Sequence, residues 1–271
     1  MTFEMPVDNS NTNKFCRENC IERITNGILL CRCGEDRNHF EWKFQRPESA
    51  LNVVLSNNDK DVLFHPERSE GTAVVKGGKP FERDKHYYWE VKIVSPLYGS
   101  DVMVGIGTGR INYQNLMGNF CSFLGLDAES WGYSYRGTVQ HDQEKRNYGI
   151  SFGIGCLVGV YLDMWKGSLE YYVNRRPRGV AFENLRKHST LYPMLSSTAA
   201  ESLIRLTCSA SASASLQLHC LKVVMKHPHL YRTYRNELPQ IAEHFESKYF
   251  WLQPSNEGNN ETVTSEEEEK D

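Results

Sequence analysis

Apolar residues recur at every second position through much of the middle of the chain. Over residues 86–94, one face of an extended segment would carry Tyr87, Trp89, Val91 and Ile93, and the other Tyr88, Glu90 and Lys92. This alternation predicts a half-buried β-strand. The same pattern on both sides of residues 163–167 predicts a hairpin over 157–173.

Further short apolar runs, separated by Gly, Pro, Asn and Asp, continue this β pattern from about Phe40 to Cys208. They span residues 53–55, 62–64, 73–75, 102–106, 131–135, 179–182, 191–195 and 202–207. Many short strands without helices between them favour two antiparallel sheets packed face to face. We therefore expect a mainly β, two-sheet antiparallel sandwich over residues 36–208.

The periodicity becomes helical after Cys208. Small residues at 209–214 form an expected linker, and Ser215 is a good helix N-cap. The apolar residues that follow share one side of a helix: Leu216, Cys220, Val223 and Val224. Pro228 should end this helix, and Pro239 should begin a second one whose apolar side carries Ile241, Phe245, Tyr249 and Leu252.

Residues 213–253 should therefore form a small helical hairpin. Two short helices cannot bury both apolar stripes against each other, because units of this size are marginally stable. Either the sandwich or a partner protein must cover the apolar face that remains.

The two ends of the chain lack such periodicity, so we expect a flexible arm over 1–35 and a disordered acidic tail over 254–271. The 271 residues include 31 basic and 34 acidic ones, a net charge of −3, which offers no basic field for nucleic acid. Neither a leader pattern nor a membrane-spanning segment is evident, which favours a cytoplasmic or nuclear protein without a membrane partner.

Eight cysteines raise the questions of disulfides and metal. Four lie near the N-terminus, Cys16, Cys20, Cys31 and Cys33, and His39 follows them. Structural zinc sites usually combine two pairs with Cys-x-x-Cys spacing, whereas these pairs are Cys-x-x-x-Cys and Cys-x-Cys. We therefore expect free thiols in the arm, no metal site and no cofactor.

Two glycine motifs suggest chemistry, but their contexts argue against it. Gly-x-Ser-x-Gly at 149–153 centres on Ser151, yet a strand rather than a helix is expected to follow. Residues 105–109 lack the spacing of a nucleotide-binding loop, and no helix is expected after them. The sequence therefore predicts no catalytic residues, and we do not expect an enzyme.

Several longer motifs occur along the β region: Tyr-Trp-Glu-Val at 88–91, Val-Gly-Ile-Gly-Thr at 104–108, Glu-Ser-Trp-Gly at 129–132, Leu-Asp at 162–163 with Gly-Ser-Leu at 167–169, and Leu-Tyr-Pro at 191–193. Together they resemble the SPRY, or B30.2, part of the SPRY domain-containing SOCS box family. The resemblance implies a sandwich that binds a short, Asn-containing peptide of a client protein. The residues implied in that site are Tyr98, Gly99, Ser100, Phe120, Thr198, Ala199 and Ala200.

Two departures from the family pattern indicate a different peptide preference. Residues 65–70 replace a longer family stretch, and Phe120 stands where relatives have Tyr. For Phe120, a place in the hydrophobic core is an equally good interpretation.

The SOCS box part of the resemblance lies in the helical region. Ser215, Leu216, Cys220 and Val224 fit the family's elongin-binding pattern. Leu238 and Pro239 would begin the segment that contacts a cullin, and the resemblance implies cullin-5 together with its RING protein. Ile241 replaces the second proline of that segment, which leaves the choice of cullin open.

The resemblance thus implies an adaptor that recruits a client to an elongin B/C cullin-RING ubiquitin ligase for degradation by the proteasome. The alternative is a peptide-binding scaffold whose helices pack on its own sandwich and assemble no ligase.

Overall fold

The structure contains fourteen β-strands among the residues that it describes. It is a computed structural model, which describes residues 15–16, 20, 31–45, 52–113, 116–188 and 190–252. The strands are β1 (Phe44–Gln45), β2 (Val53–Ser56), β3 (Asp61–Phe64), β4 (Ala73–Gly77), β5 (Lys85–Ile93), β6 (Val102–Thr108), β7 (Ser130–Ser134), β8 (Thr138–His141), β9 (Glu144–Asn147), β10 (Leu157–Asp163), β11 (Ser168–Val173), β12 (Arg176–Phe182), β13 (Leu191–Ser197) and β14 (Ser202–Ser213).

These strands form two seven-stranded antiparallel sheets. The first sheet has the order β1-β4-β13-β6-β7-β8-β9 and the second β12-β11-β10-β5-β14-β3-β2. One core cluster joins them, with Val104 and Trp131 from the first sheet and Trp89 and Val160 from the second. The predicted two-sheet antiparallel sandwich is confirmed.

Strand β5 is buried on both faces, so the prediction of a half-buried strand is wrong. Tyr88, Glu90 and Lys92 are at most 1% exposed. Residues from the N-terminal region cover this face, and Lys92 Nζ donates to the Cys31 carbonyl at 2.9 Å. Alternation shows that the two faces of a strand differ, but it does not reveal that a segment distant in sequence covers the polar one.

The expected flexible arm and acidic tail lie mostly outside the described residues. The last part of the arm, from residue 31, is described and belongs to the sandwich unit. Gly34 lies so close to Leu157 that an added Cβ would be 2.7 Å from the Leu157 Cδ1 atom. The ordered packing therefore begins before Phe40, because these residues shield the buried polar groups of β5.

Strand β14 extends to Ser213, so residues 209–213 are not a linker. They pair with β5, from Ser209 opposite Trp89 to Ser213 opposite Lys85. The small side chain of Ser209 lets a neighbouring segment approach, and its Oγ accepts from Trp42 N at 3.2 Å and donates to Trp42 O at 3.0 Å. Small residues here serve close packing rather than flexibility.

Three strands lack a sequence signal and were not predicted: β1, β8 and β9. All four residues of β9 are polar and exposed. This strand exists because its backbone pairs with β8, from Thr138 opposite Asn147 to His141 opposite Glu144. A strand without apolar side chains cannot be predicted from an alternating apolar pattern.

Three helices follow the sandwich, α1 (Leu216–Lys226), α2 (Pro228–Glu237) and α3 (Pro239–Lys248). The chain divides into two compact units between Ser213 and Ala214. The prediction of only two helices is wrong, because Pro228 occupies the first turn of α2, where its missing N–H would have no helical partner. Among the described residues, none of the helices combines the length and the apolar character that spanning a bilayer requires.

Candidate functional site

Four loops meet at one end of the sandwich and contain all the residues implied in peptide binding. Tyr98, in the loop between β5 and β6, donates its hydroxyl proton to the Ala200 carbonyl at 2.6 Å. Ser69, in the loop after β3, donates to the Thr198 carbonyl at 2.6 Å. These bonds hold the loops before β4, β6 and β14 against one another.

The buried carboxylate of Asp101 connects the fourth loop to the others. Its Oδ1 accepts from Val102 N at 2.8 Å and from the Ser134 hydroxyl at 2.6 Å. Its Oδ2 accepts from the Ser122 hydroxyl at 2.6 Å, which ties down the loop that carries Phe120. Ser122 is 21 residues from Asp101 and Ser134 is 33 residues away, so sequence spacing gave no sign of this arrangement.

Thr198 positions the loops and does not offer its hydroxyl to a ligand. The residue is 3% exposed, and its Oγ1 accepts from Asp101 N at 3.0 Å and donates to Asp101 O at 3.1 Å. Ala199 beside it is fully buried. The resemblance implies that Thr198 contacts the peptide, but its hydroxyl is buried and bonded within the protein, so the residue supports the loops instead.

Aromatic side chains form the open part of this end. Tyr98 and Phe120 are each 48% exposed. The alternative interpretation of Phe120 as a core residue is therefore wrong. Aromatic rings provide a large contact area and have few rotatable bonds, so they lose little entropy when a peptide covers them.

Two further residues of this end, Tyr135 and Arg136, have no sequence signal that would place them beside Gly99. The Gly99 carbonyl accepts from Arg136 Nη2 at 2.9 Å and from Tyr135 Oη at 3.3 Å. Gly99 has φ of +83°, and an added Cβ would lie 2.9 Å from Thr198 Oγ1, so glycine is required there. Tyr135 directly follows β7, but its proximity to Gly99 appears only in the fold.

His65 lies beneath the same loops and is fully buried. Its Nε2 lies 3.1 Å from the Ser197 carbonyl, while its Nδ1 has no hydrogen-bond partner among the described residues. Burial lowers the pKa of His65 below its usual 6.5, although the Ser197 carbonyl and Glu70 act in the opposite direction. The ring is therefore neutral near pH 7.

The residues implied in elongin binding lie on α1, which has two apolar faces. Ser215 caps the helix, and its Oγ accepts from Leu218 N at 3.2 Å. One face is buried and consists of Leu218, Leu221 and Met225. At 100° per residue, the opposite face carries Leu216, which is 79% exposed, Val223, which is 54% exposed, and the exposed Cys220, while Val224 is half-buried at its edge.

The residues implied in cullin binding lie at the junction of α2 and α3. Leu238 is 48% exposed, and Pro239 is the exposed first residue of α3. The two helices are joined by Tyr231, which donates to Glu246 Oε1 at 3.0 Å and accepts from Arg235 Nη1 at 3.1 Å. These bonds keep the junction in one geometry.

The Gly-x-Ser-x-Gly segment at 149–153 is followed by a strand rather than a helix, as the sequence indicated. Ser151 is exposed in a loop, and a turn and then β10 follow it. A nucleophilic serine of this motif would stand between a strand and a helix. The segment therefore lacks the geometry that activates such a serine.

The SPRY domain family model matches residues 86–209, which run from β5 into β14. SPRY domain-containing SOCS box protein 3 of Xenopus laevis is 45% identical over 193 residues, which make up 71% of this chain and 53% of that protein. This chain belongs to the SPRY domain-containing SOCS box family. It spans about half the length of that frog relative.

Other members of the SPRY domain-containing SOCS box family are more distant. SPRY domain-containing SOCS box protein 1 of Homo sapiens is 27% identical over 169 residues, which cover 59% of this chain and 60% of that protein. Among solved structures, the TRIM65 PSpry domain superposes with a TM-score of 0.50 at 20% identity, and the match covers 62% of this chain and 90% of that chain. At this identity the likeness supports the sandwich fold alone.

Proposed function

We propose that this family member is a substrate-recognition adaptor of an elongin B/C cullin-RING ubiquitin ligase. The loop end of its sandwich would bind a short, Asn-containing peptide of a client in the cytoplasm or nucleus. Its helices would bind elongins B and C and, through them, a cullin with its RING protein. The chain itself performs no bond chemistry, and ubiquitin transfer is accelerated because the client's lysines are held near a charged conjugating enzyme.

The observation that carries this proposal is the exposed apolar face of α1. Burying a leucine side chain fully is worth about 1.5–3 kcal/mol, and at Leu216 this free energy is available to a partner. Cys220, one turn later, is small and lets a partner approach the helix backbone. Spaced apolar anchors of this kind are typical of a helix that binds in a groove of another protein.

The loop end supports the other half of the proposal. Tyr98 and Phe120 provide exposed aromatic surface, and the Asp101 carboxylate fixes the loops around them through Ser122 and Ser134. The Arg136 guanidinium has N–H donors beyond the one that bonds the Gly99 carbonyl, and the Tyr98 hydroxyl, which donates to Ala200, has an oxygen that can still accept. A side-chain amide needs both kinds of group, because its oxygen accepts and its nitrogen donates.

Co-purification with elongins B and C tests the proposal. The full chain should retain both elongins, and the double variant Leu216→Ala, Cys220→Phe should lose them, because one change removes the anchor and the other prevents close approach. Leu126→Ala is the matched control, since it truncates another exposed leucine, 43% exposed, in the sandwich. If the double variant captured elongins as well as the parent does, the scaffold alternative would replace the adaptor.

A further inference from the structure

Four cysteines from the N-terminal region lie together in the structure. The Cys16 and Cys31 sulfur atoms are 3.5 Å apart, and those of Cys20 and Cys33 are 3.8 Å apart. The sulfur atoms of Cys16, Cys31 and Cys33 all lie within 4.8 Å of one another. His39, considered with them from the sequence, instead contacts Glu41 at 3.4 Å.

The sulfur separations match those of a tetrahedral thiolate site. Zinc–sulfur bonds of about 2.3 Å place the sulfur atoms of a tetrahedron about 3.8 Å apart. A disulfide would instead require about 2.05 Å between the two sulfur atoms. Cys16, Cys31 and Cys33 therefore have the dimensions of a metal site, and Cys20, which lies beside Cys33 but outside this group of three, would have to move to complete it.

Lys92 is an independent indication that this cluster carries negative charge. The residue is 1% exposed, and its Nζ donates to the Cys31 carbonyl at 2.9 Å and lies 3.2 Å from Cys31 Sγ. A buried ammonium group is costly unless a negative group pairs with it. No carboxylate within the described ranges forms an ion pair with Lys92, so thiolates are the groups positioned to balance its charge.

We propose that Cys16, Cys20, Cys31 and Cys33 bind one zinc ion as thiolates. The four thiols release their protons as the ion binds, and the resulting complex has two negative charges in excess, one of which Lys92 offsets. The N–H···S contact from Lys92 is the kind of outer interaction that orients a metal ligand. This site replaces the free thiols that the sequence spacing predicts.

The ion would fix the N-terminal region to the outer face of the second sheet. Cys33 directly precedes Gly34, which packs on Leu157 of β10, and Cys31 lies two residues before Cys33. Cys16 N donates to the Gly155 carbonyl at 3.0 Å, close to the start of the same strand. A site with four protein ligands leaves no open position, so its role would be structural rather than catalytic.

Zinc content of the full chain tests the site. Protein expressed with zinc and purified under reducing conditions should contain one zinc per chain by inductively coupled plasma mass spectrometry. Cys16→Ser and Cys33→Ser should each lower the content well below one, because a neutral hydroxyl is a poor replacement for a thiolate. Cys121→Ser should leave it unchanged, since Cys121 lies outside the cluster and bonds with Thr72.

A second measurement on the parent chain keeps the test independent of whether the variants fold. A strong chelator should release the zinc, make the four thiols reactive towards iodoacetamide and lower the midpoint of thermal unfolding. Replacing zinc with cobalt should give the visible absorption bands of a tetrahedral thiolate complex. Three results would overturn the proposal: a zinc-free chain with freely reactive thiols, a Cys16–Cys31 disulfide under the same reducing conditions, or zinc that remains when these cysteines are replaced.

Discussion

Arg175 connects the N-terminal region to a buried carboxylate on β5. Its Nε donates to Glu90 Oε1 at 3.0 Å, and its Nη2 donates to Asp36 Oδ1 at 2.6 Å. The Glu90 side chain is 1% exposed, whereas that of Asp36 is 52% exposed. If Arg175 is lost, water can therefore solvate the Asp36 carboxylate but not the buried Glu90 carboxylate.

Arg175→Ala should reduce the free energy of unfolding of the sandwich by about 3–5 kcal/mol, because it leaves the Glu90 carboxylate buried without its cation. Denaturant unfolding followed by tryptophan fluorescence measures the loss. Arg68→Ala is the control, since Arg68 is 82% exposed and its pair with Glu70 should contribute at most about 1 kcal/mol. Equal small losses in both variants would show that Glu90 finds another partner.

His65 gives the sandwich a pH dependence of known sign. Since burial lowers its pKa in the folded chain, the unfolded chain gains a proton first as the pH falls. Stability should therefore be constant above about pH 6.5 and decrease as the pH falls from there through the folded pKa of His65. The pKa of His188 is lowered in the same direction, first by burial, and adds to the effect.

Thermal unfolding between about pH 7.5 and pH 5.5 measures this dependence. The melting temperature of the parent should decrease with pH, and that of His65→Gln should decrease less, whatever its starting value. His229→Gln, at an exposed position of α2, should follow the parent. A His65→Gln curve parallel to the parent's would assign the dependence to other groups.

The resemblance to the family identified the exposed aromatic residues of the candidate site but not the residues that support them. Tyr98 and Phe120 belong to motifs that resemble the family's binding loops, and both are exposed. Asp101, Ser122 and Ser134 converge only because β6 and β7 are neighbours in the first sheet. Thr198 was predicted as a binding residue, but its hydroxyl is used by the Asp101 backbone, which no local pattern could show.

At the scale of elements, α1 depends on its N-cap. Ser215 Oγ accepts from Leu218 N, which would otherwise be one of the unpaired amides of the first turn. The cap lies next to Leu216, the first residue of the exposed apolar face. Fraying of this turn would move the anchor that we propose for the elongins.

Ser215→Ala should destabilise α1 by about 1 kcal/mol and weaken elongin binding by up to about fivefold, because the first turn must then be ordered on binding. Isothermal titration with the elongin B/C complex measures the affinity. Ser215→Asp keeps a capping oxygen and should bind as the parent does. If both variants bound equally weakly, the serine itself, rather than its cap, would contribute to the interface.

Periodicity predicted elements well where one side of an element is buried and poorly where backbone pairing alone defines it. The β10–β11 hairpin appears with its turn between Asp163 and Ser168. The residues 209–213 look like a linker by composition, yet β5 pairs with each of them in turn. Pro228 looks like a helix end, and it is also a helix start, because proline is compatible with the first turn.

At the scale of the whole molecule, the two compact units should carry separable activities. Tyr98→Ala with Thr198→Ala should remove clients, because one change deletes an exposed ring and the other releases the loop held at Asp101. The same variant should retain elongins. The double variant Leu216→Ala, Cys220→Phe should retain clients and lose elongins.

Proximity labelling of clients and co-purification of elongins, performed on the same set of variants, measure both activities. A client set for the Tyr98→Ala, Thr198→Ala variant that matched the parent's would contradict the placement of the peptide site. Loss of elongins from that variant would contradict the independence of the two units. Trp165→Ala should preserve both activities, since Trp165 is exposed in the turn after β10, and β10 pairs Asp163 with His86 at the end of β5 away from the Tyr98 loop.

The sequence by itself determined the β sandwich, the helical region after it and the apolar residues at 216, 220 and 223, because these depend on local periodicity and on residue type. Only the tertiary structure decided that the polar face of β5 is covered, that Asp101 organises the binding loops and that four cysteines meet beside Lys92. These features join residues that are distant in sequence. Their proximity is set by strand order and by packing between segments, which the spacing of residues along a chain does not encode.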